Sequence, residues 1–220
     1  MQVIGLLGVK GAGKDTAAKH LLEAHQFVRA AFADKLYKES ADAFGVTVEF
    51  LGNRDTKETP LPELAMRHCL DKAFIRCVLE ESGRTRMSKK FLDEPRSPRF
   101  IMQLWGTEYR RRRGVDSYWL DIVGGIMDAA PNAKFVITDV RFINEAKFIV
   151  ARGGILVRVR RPMLEAKEAA NRAANGTSAH PSETEMLTYP VDFELVNIEG
   201  EPESLAVGVE QMFESLRKVA

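Results

Sequence analysis

The chain has 220 residues, 45% of them hydrophobic and 29% charged, and a formal net charge of +1 at pH 7. This length fits one globular domain carrying an inserted subdomain, or at most two small domains. A charge so near zero gives no support for a nucleic-acid or membrane partner, and no apolar run has the length of a membrane span. The two cysteines, Cys69 and Cys77, indicate buried thiols in a reducing compartment, so we expect a cytoplasmic protein.

The chain begins with an apolar run at residues 2–8, bounded by glycine as a buried parallel strand is. A helical pattern follows the glycine-rich segment, and the next elements are a strand over residues 27–33 and a helix over residues 35–44. Residues 45–130 are arginine-rich, helical in pattern and without a strand run. We interpret them as a helical insertion.

The strand pattern then returns at residues 134–139, 155–160 and 193–198, with helices predicted over residues 144–152 and 205–219. Strands that alternate with helices predict a parallel sheet covered on both faces. Residues 161–190 form a polar, basic excursion between two strands. The expected division is a core (residues 1–44, 131–160 and 191–220), the insertion (residues 45–130) and a lid (residues 161–190).

A glycine-rich segment, GVKGAGK at residues 8–14, stands between the first predicted strand and the first predicted helix. This context identifies a P-loop, in which small residues let backbone N–H groups wrap a phosphate and the helix N-terminus adds positive charge. Lys14 is expected to reach the β- and γ-phosphates. The residues predicted to bind ATP in this segment are Gly8, Gly11, Ala12, Gly13, Lys14, Asp15 and Thr16.

Asp15 stands where a P-loop usually has the serine or threonine that ligates magnesium, and Thr16 follows it. The carboxylate of Asp15 can bind Mg²⁺ directly or through water, or it can cap the helix. We favour a role through water.

Asp139 ends the predicted strand at residues 134–139, and Arg141 follows two residues later. An acidic residue at a strand end is the usual second half of a P-loop site, where it orients magnesium. We therefore predict metal ligation by Asp15 and Asp139, and catalytic roles for Lys14, Asp139 and Arg141.

Arginines are expected in such a site, because phosphoryl transfer concentrates negative charge on the moving group. Arg161 is predicted to act in catalysis and Arg172 to bind ATP, both from the lid; a solvated basic face is the alternative. Of the run at residues 110–113, we expect one or two arginines to contact substrate. His180, Ser182 and Glu183 form a polar cluster in the same lid, for which a nucleotide contact or a helix cap is favoured over a hydrolase triad. The histidines and cysteines show no zinc-ligand spacing, so we predict no structural zinc.

These segments resemble the deoxynucleoside monophosphate kinases of tailed bacteriophages and their bacterial relatives, within the P-loop nucleoside monophosphate kinase superfamily. The resemblance covers nearly the whole chain. It rests on residues 8–16 (GVKGAGKDT), 32–36 (FADKL), 103–108 (QLWGTE) with Arg111 and Trp119, 138–145 (TDVRFINE) and 180–183 (HPSE). The central block and the block around Asp139 are more specific than the P-loop alone.

The resemblance implies a three-layer α/β/α fold with a five-stranded parallel sheet, in which the helical insertion binds the monophosphate and a lid closes. It also implies ATP-dependent, Mg²⁺-assisted transfer to a deoxynucleoside 5′-monophosphate. Dimers are common among such enzymes, and a phage-encoded member acts in the host cytoplasm. The resemblance further implies that the acceptor nucleotide is bound by Asp34, Lys35, Gln103, Thr107, Glu108, Arg111 and Arg141.

Two other functions stay open at this point. A kinase of another small metabolite, of the phosphomevalonate type, also carries a Gly-Lys-Asp P-loop. A nucleotide-binding switch NTPase would need no acceptor, although it would also not need an arginine-rich insertion and a lid.

Overall fold

A computed structural model describes residues 2–175, 186, 188–201 and 203–219, without the side chains of residues 172–175 and 219. The chain forms two compact units, one from Met1–Ala31 with Val123–Ala220 and one from Phe32–Ile122. The second unit begins earlier and ends earlier than the insertion expected at residues 45–130. The functional division into core, insertion and lid stays a prediction.

The helices and strands follow one another in the order expected for an α/β protein with a helical insertion. In chain order they are β1 (Gln2–Leu7), α1 (Lys14–His25), β2 (Phe27–Ala30), α2 (Phe32–Phe44), α3 (Val48–Gly52), α4 (Lys72–Glu81), α5 (Lys89–Asp93), α6 (Pro98–Gln103), a π-helical segment (Leu104–Arg112), α7 (Tyr118–Asp128), β3 (Lys134–Ile137), α8 (Ile143–Ala151), β4 (Ile155–Arg160), α9 (Pro162–Asn175), β5 (Phe193–Val196) and α10 (Ser204–Val219), with short 3₁₀ turns at Pro62–Leu64 and Met66–His68.

The first unit contains a five-stranded sheet in the order β2-β3-β1-β4-β5, and every pair of neighbouring strands is parallel. The predicted parallel sheet is therefore confirmed. Four strands are shorter than predicted, β1 by the single residue Gly8. β2 ends at Ala30, because Phe32 already begins α2, while β3 ends at Ile137 and β5 at Val196.

Helices cover both faces of this sheet, which confirms the three-layer architecture. On one face, α1 and α10 bury Leu21 and Val209 against Ile4 and Leu6 of β1. On the other face, α8 lies so close to β1 that a Cβ atom on Gly5 would be 2.5 Å from Cδ1 of Ile149. Apart from Gln2, the residues of β1 are buried, as expected of a parallel strand covered on both sides.

The second unit is built from helices. Within residues 45–122, all of which are described, the single β pairing is an isolated bridge between Leu61 and Arg96. Cys69 and Cys77 are buried and free, as predicted. Burial raises the pKa of each thiol to about 11, so both stay protonated and unreactive at neutral pH.

Glu39 of α2 is the centre of a polar cluster in the second unit. Its side chain is only 12% exposed. It accepts hydrogen bonds from Trp105 Nε1 at 3.1 Å, from Arg110 Nε at 2.8 Å and from the Tyr118 hydroxyl. The guanidinium of Arg110 also lies over the rings of Trp105, Tyr109 and Tyr118. One carboxylate thus ties α2 to the π-helical segment and to α7.

Among the described residues, no helix combines the length and the apolar character needed to cross a membrane.

We predict that Glu39→Ala lowers the free energy of unfolding by about 2–4 kcal/mol, because it leaves the Arg110 guanidinium and two further donors without their shared acceptor. Urea denaturation followed by tryptophan fluorescence measures this change. Asp42→Ala on the same helix is the matched control, since Asp42 pairs with Lys38 on the exposed surface, and it should cost no more than about 1 kcal/mol. Equal costs for the two variants would contradict the structural role of Glu39.

Candidate phosphate-binding site

The predicted site residues of the first unit follow three neighbouring strands of the sheet. The glycine-rich segment follows β1, Asp139 and Arg141 follow β3, and Arg161 follows β4. β1 lies between β3 and β4 and runs parallel to both. The carboxyl ends of the three strands therefore meet at one edge of the sheet, which is where α/β proteins bind their ligands.

Two glycines of the loop occupy positions that a side chain would block. Gly8 has a φ of 136°, and a Cβ atom there would be 2.2 Å from the backbone oxygen of Val159 in β4. Gly13 has a φ of 109°, and its Cβ atom would be 2.6 Å from Nδ2 of Asn197. Because the Val159 oxygen belongs to the sheet, it cannot move aside. The loop path therefore depends on glycine at both ends.

Hydrogen bonds hold the middle of the loop in place. The backbone N–H of Ala12 donates to the oxygen of Val9 at 3.2 Å. Nδ2 of Asn197, which follows β5, donates to the oxygen of Ala12 at 2.9 Å. Ala12 itself is fully buried. Sequence patterns did not reveal Asn197, because it lies 185 residues from its partner and belongs to no motif.

The side chain of Lys14 folds back into the loop. Its Nζ donates to the backbone oxygens of Gly8 at 2.7 Å and Val9 at 2.9 Å. Burial, and next the positive charge of Arg141, lower the pKa of Lys14 to about 8, although the carboxylates of Asp15, Asp139 and Glu168 oppose the change. A desolvated ammonium beside a guanidinium needs negative charge nearby, and a phosphate supplies it.

Arg141 emerges from a turn that a buried carboxylate holds. Oε2 of Glu145 accepts hydrogen bonds from the backbone N–H groups of Arg141 at 2.7 Å and Phe142 at 3.2 Å. Glu145 is 2% exposed and is the third residue of α8. Glutamate at this position is half of a capping-box pattern. The capping-box position therefore identifies Glu145 in the sequence, although a search for phosphate and metal ligands overlooks it.

Asp15 and Thr16 lie in the first turn of α1, both exposed, while Asp139 is half-buried after β3. The carboxylates of Asp15 and Asp139 are both close enough to Lys14 to act on its pKa. A donor set of carboxylate and hydroxyl oxygens, without nitrogen or sulfur, matches the preference of Mg²⁺. These residues are therefore chemically suited to a magnesium ion that accompanies a nucleotide.

The start of α9 borders the loop. Arg161 donates from Nε to Oε2 of Glu199 at 2.9 Å, and from Nη1 to the backbone oxygen of Gly11 at 3.5 Å. Leu164 Cδ2 would be 3.3 Å from a Cβ atom on Gly11, and Glu168 is one turn further along the helix. The neighbouring Arg160 is paired with Glu165 and Glu194.

Several predicted lid residues cannot be placed. The side chain of Arg172, and the whole of His180, Ser182 and Glu183, lie outside the described residues.

The predicted acceptor residues of the second unit lie on three elements. Asp34 and Lys35 are exposed in the first turn of α2, Gln103 ends α6, and the π-helical segment contains Thr107, Glu108 and Arg111. π-Helical turns are rare and are frequently found at functional sites.

One oxygen in the π-helical segment lacks a partner. Oε2 of Glu108 is buried, and it accepts no hydrogen bond from any described residue. A buried acceptor without a donor costs about 1–3 kcal/mol. Such an atom is a reasonable place for a ligand to donate a hydrogen bond.

The structure distinguishes among the four arginines at residues 110–113. Arg110 is tied to Glu39, and Arg113 to Glu80 and Glu81. Arg112 is exposed, and Arg111 is partly buried. Arg110 and Arg113 therefore have acidic partners within the second unit that account for their charge.

Comparison with known proteins supports one family. No family model matches the chain. A candidate deoxynucleotide monophosphate kinase of Acanthamoeba polyphaga mimivirus is 32% identical over 203 residues, which cover 90% of this chain and 89% of the relative. The deoxynucleoside-5′-monophosphate kinase of Escherichia phage T5 is 27% identical over 232 residues, with 89% of each chain covered.

Among solved structures, TT1252 from Thermus thermophilus aligns over 97% of each chain at 17% identity with a TM-score of 0.48. A sugar kinase from a Janibacter species reaches a TM-score of 0.42 at 14% identity, over 97% of this chain and 94% of that one. At these values neither likeness decides the fold or the function.

The assignment therefore rests on the sequence relatives, whose alignments extend over about nine-tenths of the chain. This chain belongs to the family of the deoxynucleoside monophosphate kinases.

Proposed function

We propose that this protein transfers the γ-phosphoryl group of ATP to the 5′-phosphate of a deoxynucleoside monophosphate and so produces the diphosphate for DNA precursor synthesis. The observation that carries the proposal is the desolvated ammonium of Lys14, held inside a glycine loop beside Arg141. The names of the two relatives support the acceptor class. Such an enzyme acts in the cytoplasm, where nucleotides are made, or in the host cytoplasm if a virus encodes it.

In this proposal the loop binds the β- and γ-phosphates of ATP. Backbone N–H groups at Gly11 and Gly13 and the N-terminus of α1 would face the phosphates, and Asp15 and Thr16 complete the first turn. The N–H of Ala12 instead holds the loop through its bond to the Val9 oxygen. Lys14 exchanges its bonds to the loop oxygens for bonds to phosphate. Arg141 and Arg161 neutralise the charge that develops on the transferred group.

Asp15 and Asp139 would hold the Mg²⁺ ion that accompanies ATP. When bound, this ion supplies charge neutralisation on the phosphate oxygens. The carboxylates also offset the positive charge of Lys14 and Arg141, because both act on Lys14 in the folded protein. The site thereby combines cations for phosphate with anions for metal.

The acceptor phosphate needs no strong base, because its oxygen is already nucleophilic at neutral pH. We assign the acceptor nucleotide to Asp34, Lys35, Gln103, Thr107, Glu108 and Arg111 of the second unit. The buried Oε2 of Glu108 supports this assignment, because an N–H or O–H group of the nucleotide would supply its missing donor. The lid (residues 161–190), with Arg172, would exclude water and so limit ATP hydrolysis.

The decisive test is a coupled ADP-release assay with the four deoxynucleoside monophosphates and their ribose counterparts. We expect ADP release to depend on a deoxynucleoside monophosphate, and Lys14→Ala to lower turnover on the order of 10² or more. Lys19→Ala is the control, since Lys19 is exposed on the same helix. Slow ADP release that no acceptor stimulates would favour a switch NTPase, and release that depends on another phosphorylated metabolite would favour a different kinase.

The lowered pKa of Lys14 predicts proton uptake on nucleotide binding. In the free protein the ammonium loses its proton as the pH rises through about 8, whereas bound polyphosphate stabilises the charged form. At pH 8.5 we therefore expect ADP binding to take up a fraction of one proton. Calorimetry in two buffers of different ionisation enthalpy measures this number.

Lys14→Arg is the matched variant for this measurement, because a guanidinium stays charged throughout. It should bind ADP without proton uptake. Equal uptake in the variant and in the wild type would assign the proton to another group.

Glu108→Gln tests the acceptor assignment. The amide keeps the shape of the side chain but removes the charge that a nucleotide donor would meet, so KM for the monophosphate should rise about tenfold or more while KM for ATP changes less than twofold. The free energy of unfolding should not fall, because the variant buries no unpaired charge. A loss of stability without a change in either KM would show that Glu108 is purely structural.

A further inference from the structure

We propose that His20, His25 and Glu210 form a binding site for a transition-metal ion of the zinc type, separate from the phosphate site. His20 and His25 belong to α1 and Glu210 to α10, and all three are in the first unit. The phosphate loop ends at Lys14, the first residue of α1, whereas His20 lies in the middle of that helix and His25 is its last residue. At 1.5 Å of rise per residue, Lys14 is about 9 Å along the helix from His20 and about 17 Å from His25, so the two sites are separate.

The three side chains already converge on one point. Nε2 of His20 is 2.7 Å from Oε1 of Glu210, and Nε2 of His25 is 2.8 Å from the same oxygen. The three potential ligand atoms all lie within 4.8 Å of one another. Tetrahedral zinc, with bonds of about 2.0–2.1 Å, places its ligand atoms about 3.3 Å apart. The two imidazole-to-carboxylate distances are about half an ångström shorter than this, so the Glu210 oxygen would move back by about that much to admit the ion.

The imidazoles are held in position before any ion binds. The ring of His25 stacks on Phe213 of α10, with centroids 4.1 Å apart and planes 23° apart. The ring of His20 meets that of His25 edge to face at 5.8 Å. Because little side-chain freedom remains to be lost, an ion binds with a small entropic cost.

The site is also accessible, and its donors select the metal. The side chains of His20 and His25 are 28% and 14% exposed, and that of Glu210 is 50% exposed. Two imidazole nitrogens with one carboxylate suit zinc and its neighbours in the first transition row, whereas Mg²⁺ prefers oxygen ligands alone. An ion here would leave a coordination position open to water and would link α1 to α10.

The prediction of no structural zinc came from the spacing of histidines and cysteines along the chain. Such spacing cannot show that His20, His25 and Glu210 lie together in the folded protein. His20 and His25 are five residues apart, while Glu210 is 185 residues from His25. The packing of α10 against α1 is what brings them together.

Zinc titration by calorimetry, with excess Mg²⁺ and no nucleotide, tests the proposal. We expect one Zn²⁺ per chain in the wild type, and at least a tenfold loss of affinity in each of His20→Gln, His25→Gln and Glu210→Gln. His68→Ala is the control, since His68 is an exposed histidine of the second unit, and it should bind Zn²⁺ like the wild type. Absence of binding at about 100 μM Zn²⁺, or binding that the three substitutions leave unchanged, would overturn the proposal.

Two further readouts separate a lost site from a lost fold. Each glutamine variant should retain kinase activity with Mg²⁺ and ATP, which shows that it is folded. Zn²⁺ should raise the Tm of the wild type and of His68→Ala, but not that of the three variants. The Co²⁺-substituted protein should show the absorption of nitrogen and oxygen ligands. A thiolate charge-transfer band that persists in His20→Gln would assign the ion to a cysteine and overturn the site.

Discussion

The desolvated ammonium of Lys14 is the constraint around which the phosphate site is organised. A lysine loses hydration when it folds into a loop, and here two backbone oxygens replace only part of it. The loop must therefore bring its own carbonyl groups close to Nζ. This requires the backbone path at Gly8, where the sheet leaves no room for a Cβ atom. The glycine pattern is thus a consequence of packing against β4 as much as of phosphate binding.

The charges around Lys14 explain why the site is ready for an anion without being strongly basic. Arg141 adds a second positive charge, while Asp15, Asp139 and Glu168 act in the opposite sense. With burial, the net effect still favours the neutral amine relative to free lysine. A polyphosphate reverses this balance, because it supplies the charge that water no longer supplies. The acidic residues therefore offset part of the positive charge on Lys14 and Arg141 but do not restore the usual pKa of Lys14.

The sequence predicted the parts of this structure that depend on local pattern. Apolar runs bounded by glycine located β1 and β4, and the loop motif located Lys14. The boundary between β2 and α2 was missed, since residues 31–33 are apolar enough for either and tertiary packing decides. Asn197 and Glu199 could not be found, because their contacts with the loop and with Arg161 join distant parts of the chain. The sequence could not indicate that Arg110 pairs with Glu39, because the two residues are 71 positions apart.

Two partly buried glutamates of the second unit differ in how far the protein itself satisfies their carboxylate oxygens. Glu39 accepts hydrogen bonds from three side chains, so its carboxylate is satisfied and its removal affects stability. Glu108 lies on the π-helical segment with one oxygen that is buried and lacks a donor among the described residues. Folding alone gives no reason to keep such a charge, because a neutral residue would cost less. The acceptor nucleotide proposed above would supply the missing hydrogen-bond donor to this oxygen.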